Sequence, residues 1–115
     1  VAEKIKLVQG DTRPFIQITL RDLDGSAINL ESATAVRIYF RAAGSTTVLS
    51  TITAERQTPY INGKILFSFR DAVTQQSILN VDPGAYEGEI ELTYDNGDKQ
   101  SVYDPLKFQV RKQFA

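Results

Sequence analysis

Apolar and polar residues alternate one by one through most of this sequence, and that period of two leaves the backbone little choice. Successive side chains on a strand point to opposite faces, so alternation builds a sheet with one buried face, whereas a helix needs a repeat near 3.6. Ile5 and Leu7 alternate with Lys4 and Lys6, and Ile16, Ile18 and Leu20 with Gln17, Thr19 and Arg21. Val36, Ile38 and Phe40 face away from Arg37, Tyr39 and Arg41. Ile65, Phe67 and Phe69 repeat the pattern in "KILFSFR". Tyr86, Gly88, Ile90, Leu92 and Tyr94 oppose Glu87, Glu89 and Glu91, and Leu106, Phe108 and Val110 oppose Lys107, Gln109 and Arg111.

Turn signals separate these runs: "GDTRP", "DLDGSA" with Asp24 and Gly25 at its tip, "AGSTT", "ERQTPYING" and "DNGD". "DAVTQQSILNVDPG" is the exception, where Ala72, Val73 and Gln76 predict one short helical turn within residues 71–79, ended before Pro83. About seven or eight short strands, with turn signals roughly every 8 to 12 residues, predict an all-β fold, an immunoglobulin-like antiparallel β-sandwich. A barrel is the rival, because alternation alone does not separate the two. The 115 residues suit one domain spanning 1–115, and 42 % hydrophobic residues suffice for a core without covalent staples. Phe15, Phe40, Phe67, Phe69, Tyr86, Tyr94 and Phe108 are expected in that core.

The chain has no cysteine and no histidine, which excludes a thiol nucleophile, a Ser–His pair and thiolate or imidazole metal sites. No nucleophile, base and orienting group can be assembled, so no enzyme, no cofactor and no small-molecule ligand is expected. With 13 basic and 14 acidic residues the net charge is −1, without a basic stripe, which argues against nucleic acid as a partner. No apolar run approaches the ~18 residues of a membrane span.

Two groups of carboxylates need a reading. Glu87, Glu89 and Glu91 share a strand face, where cross-strand pairing with cations is the common role. One register satisfies both final strands, pairing Leu92 with Leu106, Ile90 with Phe108 and Gly88 with Val110, and setting Glu91 across from Lys107 and Glu87 across from Arg111. "YDNGDKQ" and Asp104 offer oxygen atoms suited to calcium, but Asn96 and Gly97 between strands make a hairpin the better reading. Tyr39 between Arg37 and Arg41 has the composition of an interface. Residues 46–53 carry neither charge nor proline, so "VLSTITA" reads as an unprotected edge. Arg37, Tyr39, Arg41, Thr47, Leu49, Thr51 and Thr53 are therefore the candidate contact residues.

The order of motifs resembles a known family. "QGDTRPFIQITLRDLDGSAINLESATAVRIYF", "GKILFSF" and "DPGAYEGEIELTYDNGDKQ" follow one another much as in the immunoglobulin-like domains of tailed-bacteriophage virion proteins. The N-terminal domain of phage baseplate upper proteins is the nearest pattern, matched at Asp22, Gly25, Ile28 and Leu30, at Gly84, Tyr86 and Glu89, and loosely at Asn96 and Gly97. The resemblance implies a non-catalytic virion structural protein of the tail or baseplate, located in the virion, docking other virion proteins or copies of itself. A capsid or neck decoration protein and a carbohydrate-binding or adhesion sandwich are the alternatives. In antibody-like domains a cysteine stands two residues after the corner tyrosine; here the position is Gly88, so apolar alternation must do the work of the bridge. Tyr86 is expected to keep the corner, its hydroxyl bonded to backbone upstream and its ring inside.

Overall fold

A computed structural model describes residues 4–13, 15–71 and 73–114. The longest alternations make the longest strands. Strand β3 (Ala33–Ala42) and β6 (Gly84–Tyr94) pair antiparallel along almost their whole length and form the spine. Around them lie β1 (Ile5–Val8), β2 (Ile16–Thr19), β4 (Ser50–Arg56), β5 (Lys64–Phe67), β7 (Lys99–Ser101) and β8 (Leu106–Arg111). The strand order is β1-β8-β6-β3-β4-β5-β2, with β7 also paired to β6. The fold is the expected all-β, immunoglobulin-like sandwich, with one departure: β1 runs parallel to β8.

β4 makes the sheet curl into two layers. Its first five residues pair with β3, and its last two, Glu55 and Arg56, pair with Leu66 and Ile65 of β5. Arg56 anchors the bend, donating from Nη1 to the Leu30 carbonyl at 2.9 Å and stacking over the Tyr60 ring at 4.1 Å. The apolar faces meet between the layers: Val36, Ile38, Phe40, Ile52, Ile65, Phe67, Ile90, Leu92, Phe108 and Val110 are all buried. An aromatic contact ties the layers together. Phe69, just after β5, meets Phe108 of β8 edge-on at 5.7 Å across the layers, while Phe40 stacks on Tyr86 at 5.1 Å within one layer. Phe15 does not join them; it is 60 % exposed, beside Arg13.

Tyr86 is the expected corner, its hydroxyl donating to the Asp82 carbonyl. Burial first, and the Asp82 charge second, raise its pKa above the ordinary value of 10.0. Gly88 does face inward, but its neighbours differ from those expected. It pairs with Phe40 and Leu106, and a Cβ there would come within 2.8 Å of Ile38 Cγ2 and 3.0 Å of Phe108 Cε2. The crowding comes from the two flanking strands of its own layer, not from the opposite layer.

The expected register of β6 against β8 is four residues out. The observed partners are Tyr86 with Phe108, Glu87 with Lys107 and Gly88 with Leu106. Asn96 and Gly97 turn the chain back at once, so β7 pairs with residues 91–93 of β6 and takes the place assigned to Leu106. Between Ser101 and Leu106 the chain bulges outward, with residues 102–105 set against Glu89 and Ile90 alone. A shift by an even number keeps every side chain on its face, which is why the inward residues were still identified.

The expected helical turn within 71–79 is present as a single hydrogen-bonded turn, Gln75 N–H donating to the Asp71 carbonyl at 2.9 Å, and no helix continues from it among the described residues; Ala72 lies outside them. Asp71 accepts from the backbone N–H groups of Val73 (2.8 Å) and Thr74 (3.0 Å), and Arg70 bridges to Ser77. With Gln75 at φ 62 the chain reverses after that one turn. A 3-10 turn occurs elsewhere among the described residues, at Tyr60–Asn62.

Candidate functional site

Three surfaces carry chemistry. The first is the outer face of β3 and β6. Register places Arg37 beside Glu91, Tyr39 beside Glu89 and Arg41 beside Glu87. The Tyr39 hydroxyl reaches diagonally to Glu91 Oε1 at 2.9 Å, and that bond to a carboxylate, ahead of its partial burial, raises the Tyr39 pKa. Arg41 Nε lies 3.4 Å from Glu87 Oε1, an ionic contact without hydrogen-bond geometry. Glu87 and Glu91 thus face β3 arginines, and Glu89 a tyrosine, rather than the expected partners: Glu87 also meets Lys107, while Glu91 meets Ser101. The alternation showed two arginines flanking a tyrosine on one strand and three glutamates on the other, but pairing between strands so distant in sequence left no local trace.

The second surface is the edge of β4. The strand begins at Ser50, so Thr47 and Leu49 fall in the irregular connection before it, while Thr51 and Thr53 stand on the outer face beside Tyr39 and Arg37. Five of the seven expected contact residues therefore share one face, and two do not. Residues 50–53 have β3 on one side and no strand on the other among the described residues. Val48 and Leu49, just before them, are about half exposed, at 47 % and 48 %.

The third surface was not anticipated. An open cleft of about 780 Å³ lies between the 22–25 turn and the 102–105 bulge. One wall is held by the backbone: Leu20 N–H donates to the Gly63 carbonyl, Ile28 N–H to the Leu20 carbonyl and Leu30 N–H to the Tyr60 carbonyl. Leu20, Ile28 and Leu30 are buried, which leaves residues 21–26 projecting as a tight turn. Asp24 closes the turn by accepting from Ser26 N–H at 2.9 Å, which holds its carboxyl below the usual range. Gly63 fits under this wall only because it lacks a side chain: a Cβ would come within 2.8 Å of the Ile28 carbonyl. The other wall is the bulge, pinned where Val102 N–H donates to the Ile90 carbonyl at 2.9 Å. Asp22, Asp24, Glu89 and Asp104 line the cleft together with Arg21, Leu23, Tyr103 and the β7 residues Gln100 and Ser101. "DLDGSA" reads as a turn and "SVYDP" carries no signal of its own; only the fold brings them together.

No family model matches the chain, and no curated protein does. Among solved structures the fold is similar to CopC from Methylosinus trichosporium OB3b, with a TM-score of 0.52 and 9 % identity over 99 % of this chain and 89 % of that one. Identity that low shows a shared fold alone. The finding corrects the expected kinship with tailed-bacteriophage virion domains: the backbone matches CopC, and nothing connects the chain to a phage. The virion location, the tail, baseplate, neck or capsid role and the adhesion alternative fall with that kinship. The shared motif order reflects what any sandwich with these turns requires, namely glycine at tight turns and a tyrosine at the corner.

Proposed function

We propose that this chain is a non-catalytic protein-binding module whose partner is a second copy, docked along the open edge of β4. The observation that carries this reading is the one-sided pairing of residues 50–53. An unpaired edge offers a row of backbone donors and acceptors to another strand, and natural edges are usually blunted by charge or proline. This one is not, since residues 46–53 contain neither. Two such edges related by a two-fold axis meet without like-charge repulsion. The absence of catalysis is part of the proposal. It is supported by a sequence without histidine or cysteine, and by carboxylates on the β6 face that lie opposite arginine and tyrosine.

Light scattering on a sizing column tests the reading. A mass that rises toward the dimer with concentration is expected, and a Thr51→Lys, Thr53→Lys double variant should return the monomer. A strict monomer at the highest soluble concentration, with fast amide exchange at residues 50–53 throughout, would sink it.

A further inference from the structure

We propose that the cleft between the 22–25 turn and the 102–105 bulge is a second binding site, which takes a lysine or arginine side chain of an extended peptide. It is independent of the β4 edge, from which β6 is separated by β3.

Charge is the first ground. Four carboxylates, Asp22, Asp24, Glu89 and Asp104, line the cleft against one guanidinium. That guanidinium, Arg21, donates from Nη1 to the Gly25 carbonyl of its own turn at 3.0 Å. Apolar exposure is the second ground. Leu23 is 85 % exposed and Tyr103 79 %, and both line this same cleft. Large apolar side chains gathered in one concavity and rimmed by charge mark a contact surface.

The two grounds together select the occupant. Among the described residues no three acidic groups are close enough to hold a metal ion between them. The negative charge is spread along the walls, which suits a cation carried on an apolar stem better than a compact one. Lysine and arginine have that form: the stem covers Leu23 and the Tyr103 ring while the head stays among carboxylates and water. An uncharged apolar occupant would strip water from the carboxylates without replacing it. Gln100 and Ser101 supply the reason for a peptide, since they belong to β7, which pairs only with β6 among the named strands and offers its other edge to an extended chain.

Acetyl-tetralysine amide is the probe, titrated into the whole chain at low salt and followed by backbone amide shifts. Saturable shifts are expected at residues 21–24 and 100–104, with none from the tetraglutamate counterpart. The Asp22→Asn, Asp104→Asn double variant should bind about fivefold more weakly, the order expected for exposed ion pairs. Tyr103→Ala leaves the charge unchanged and should cost about two- to fivefold. All three side chains are exposed, so melting temperatures should hold and confirm that each variant is folded. Shifts centred on Glu87 and Glu91, wild-type binding by the double variant, or wild-type binding by Tyr103→Ala would each overturn the site.

Discussion

The outer face of β3 and β6 and the cleft beside β7 use the same residue types, acids, arginine and tyrosine, to opposite ends. On the sheet face every glutamate stands opposite a partner on β3, because antiparallel register brings residues from two strands level with one another. Tyr39 is half-buried there and hydrogen-bonded to Glu91. In the cleft Asp22, Asp24 and Asp104 arrive on two connections with no register between them, only Glu89 coming from a strand, one arginine is shared among the four carboxylates, and Tyr103 stands in solvent. A sheet settles its own charges as it forms. Loops positioned by a sheet are free to leave theirs for something else.

The contrast depends on β3, β6 and β8 staying in register, and Gly88 is where that is most easily broken. A side chain there has no space, since even a Cβ would meet Ile38 and Phe108. Gly88→Leu should cost about 3 kcal/mol or more in a urea melt, toward the upper end for overpacking a core. An unchanged melt would mean that the flanking strands can part freely, and the matched face would lose its basis. Tyr86→Phe is milder. It leaves the ring against Phe40 but orphans the Asp82 carbonyl, and should cost about 1 kcal/mol.

Alkaline pH acts on the same tyrosines. Tyr39, Tyr86 and Tyr94 all have raised pKa values, from the bond to Glu91 in the first case and from burial in the other two. Folding therefore favours the neutral phenol. That stability is fully present below the unfolded pKa near 10 and is lost as pH rises through the folded values. Urea midpoints should hold steady to about pH 9 and then fall, and Tyr86→Phe should reduce the drop. A midpoint that rises above pH 10 would contradict the shared direction of the three shifts.

What the sequence disclosed and what it withheld divide along the same line as the two regions. Alternation identified the inward residues of β3, β5, β6 and β8, because a face is a local property with a period of two. The "DNGD" hairpin and the Tyr86 corner were legible for the same reason, each being written in a few adjacent residues. The partner of each strand was not. The β6–β8 register failed by four residues, since β7 and the 102–105 bulge intervene where alternation sees only distance. Arg37, Tyr39 and Arg41 were singled out as an interface without a sign that residues 87–91, some fifty positions on, would lie beside them. The helical turn within 71–79 goes no further than one turn, since the Asp71 carboxylate caps its start and Gln75 at φ 62 ends it, a stop that composition does not reveal. The cleft was out of reach for the deeper reason that its two walls have no pattern in common.

The smallest effects discriminate between the regions most directly. Glu87→Gln removes the partner of Arg41 Nε, which is buried and has no hydrogen-bond acceptor of its own. A loss of about 0.5 kcal/mol is expected, since the pair is partly exposed and screened. Asp104→Asn removes a carboxylate that stands among three others, so stability should stay level or rise by a few tenths of a kcal/mol as like-charge repulsion is relieved. Raising salt should shrink both effects. The two substitutions delete the same charge from the same protein, so opposite signs in paired urea melts would come from position alone. Equal losses at both sites would mean that Asp104 is held by a partner within the chain, and the cleft would be one more settled surface rather than an open one.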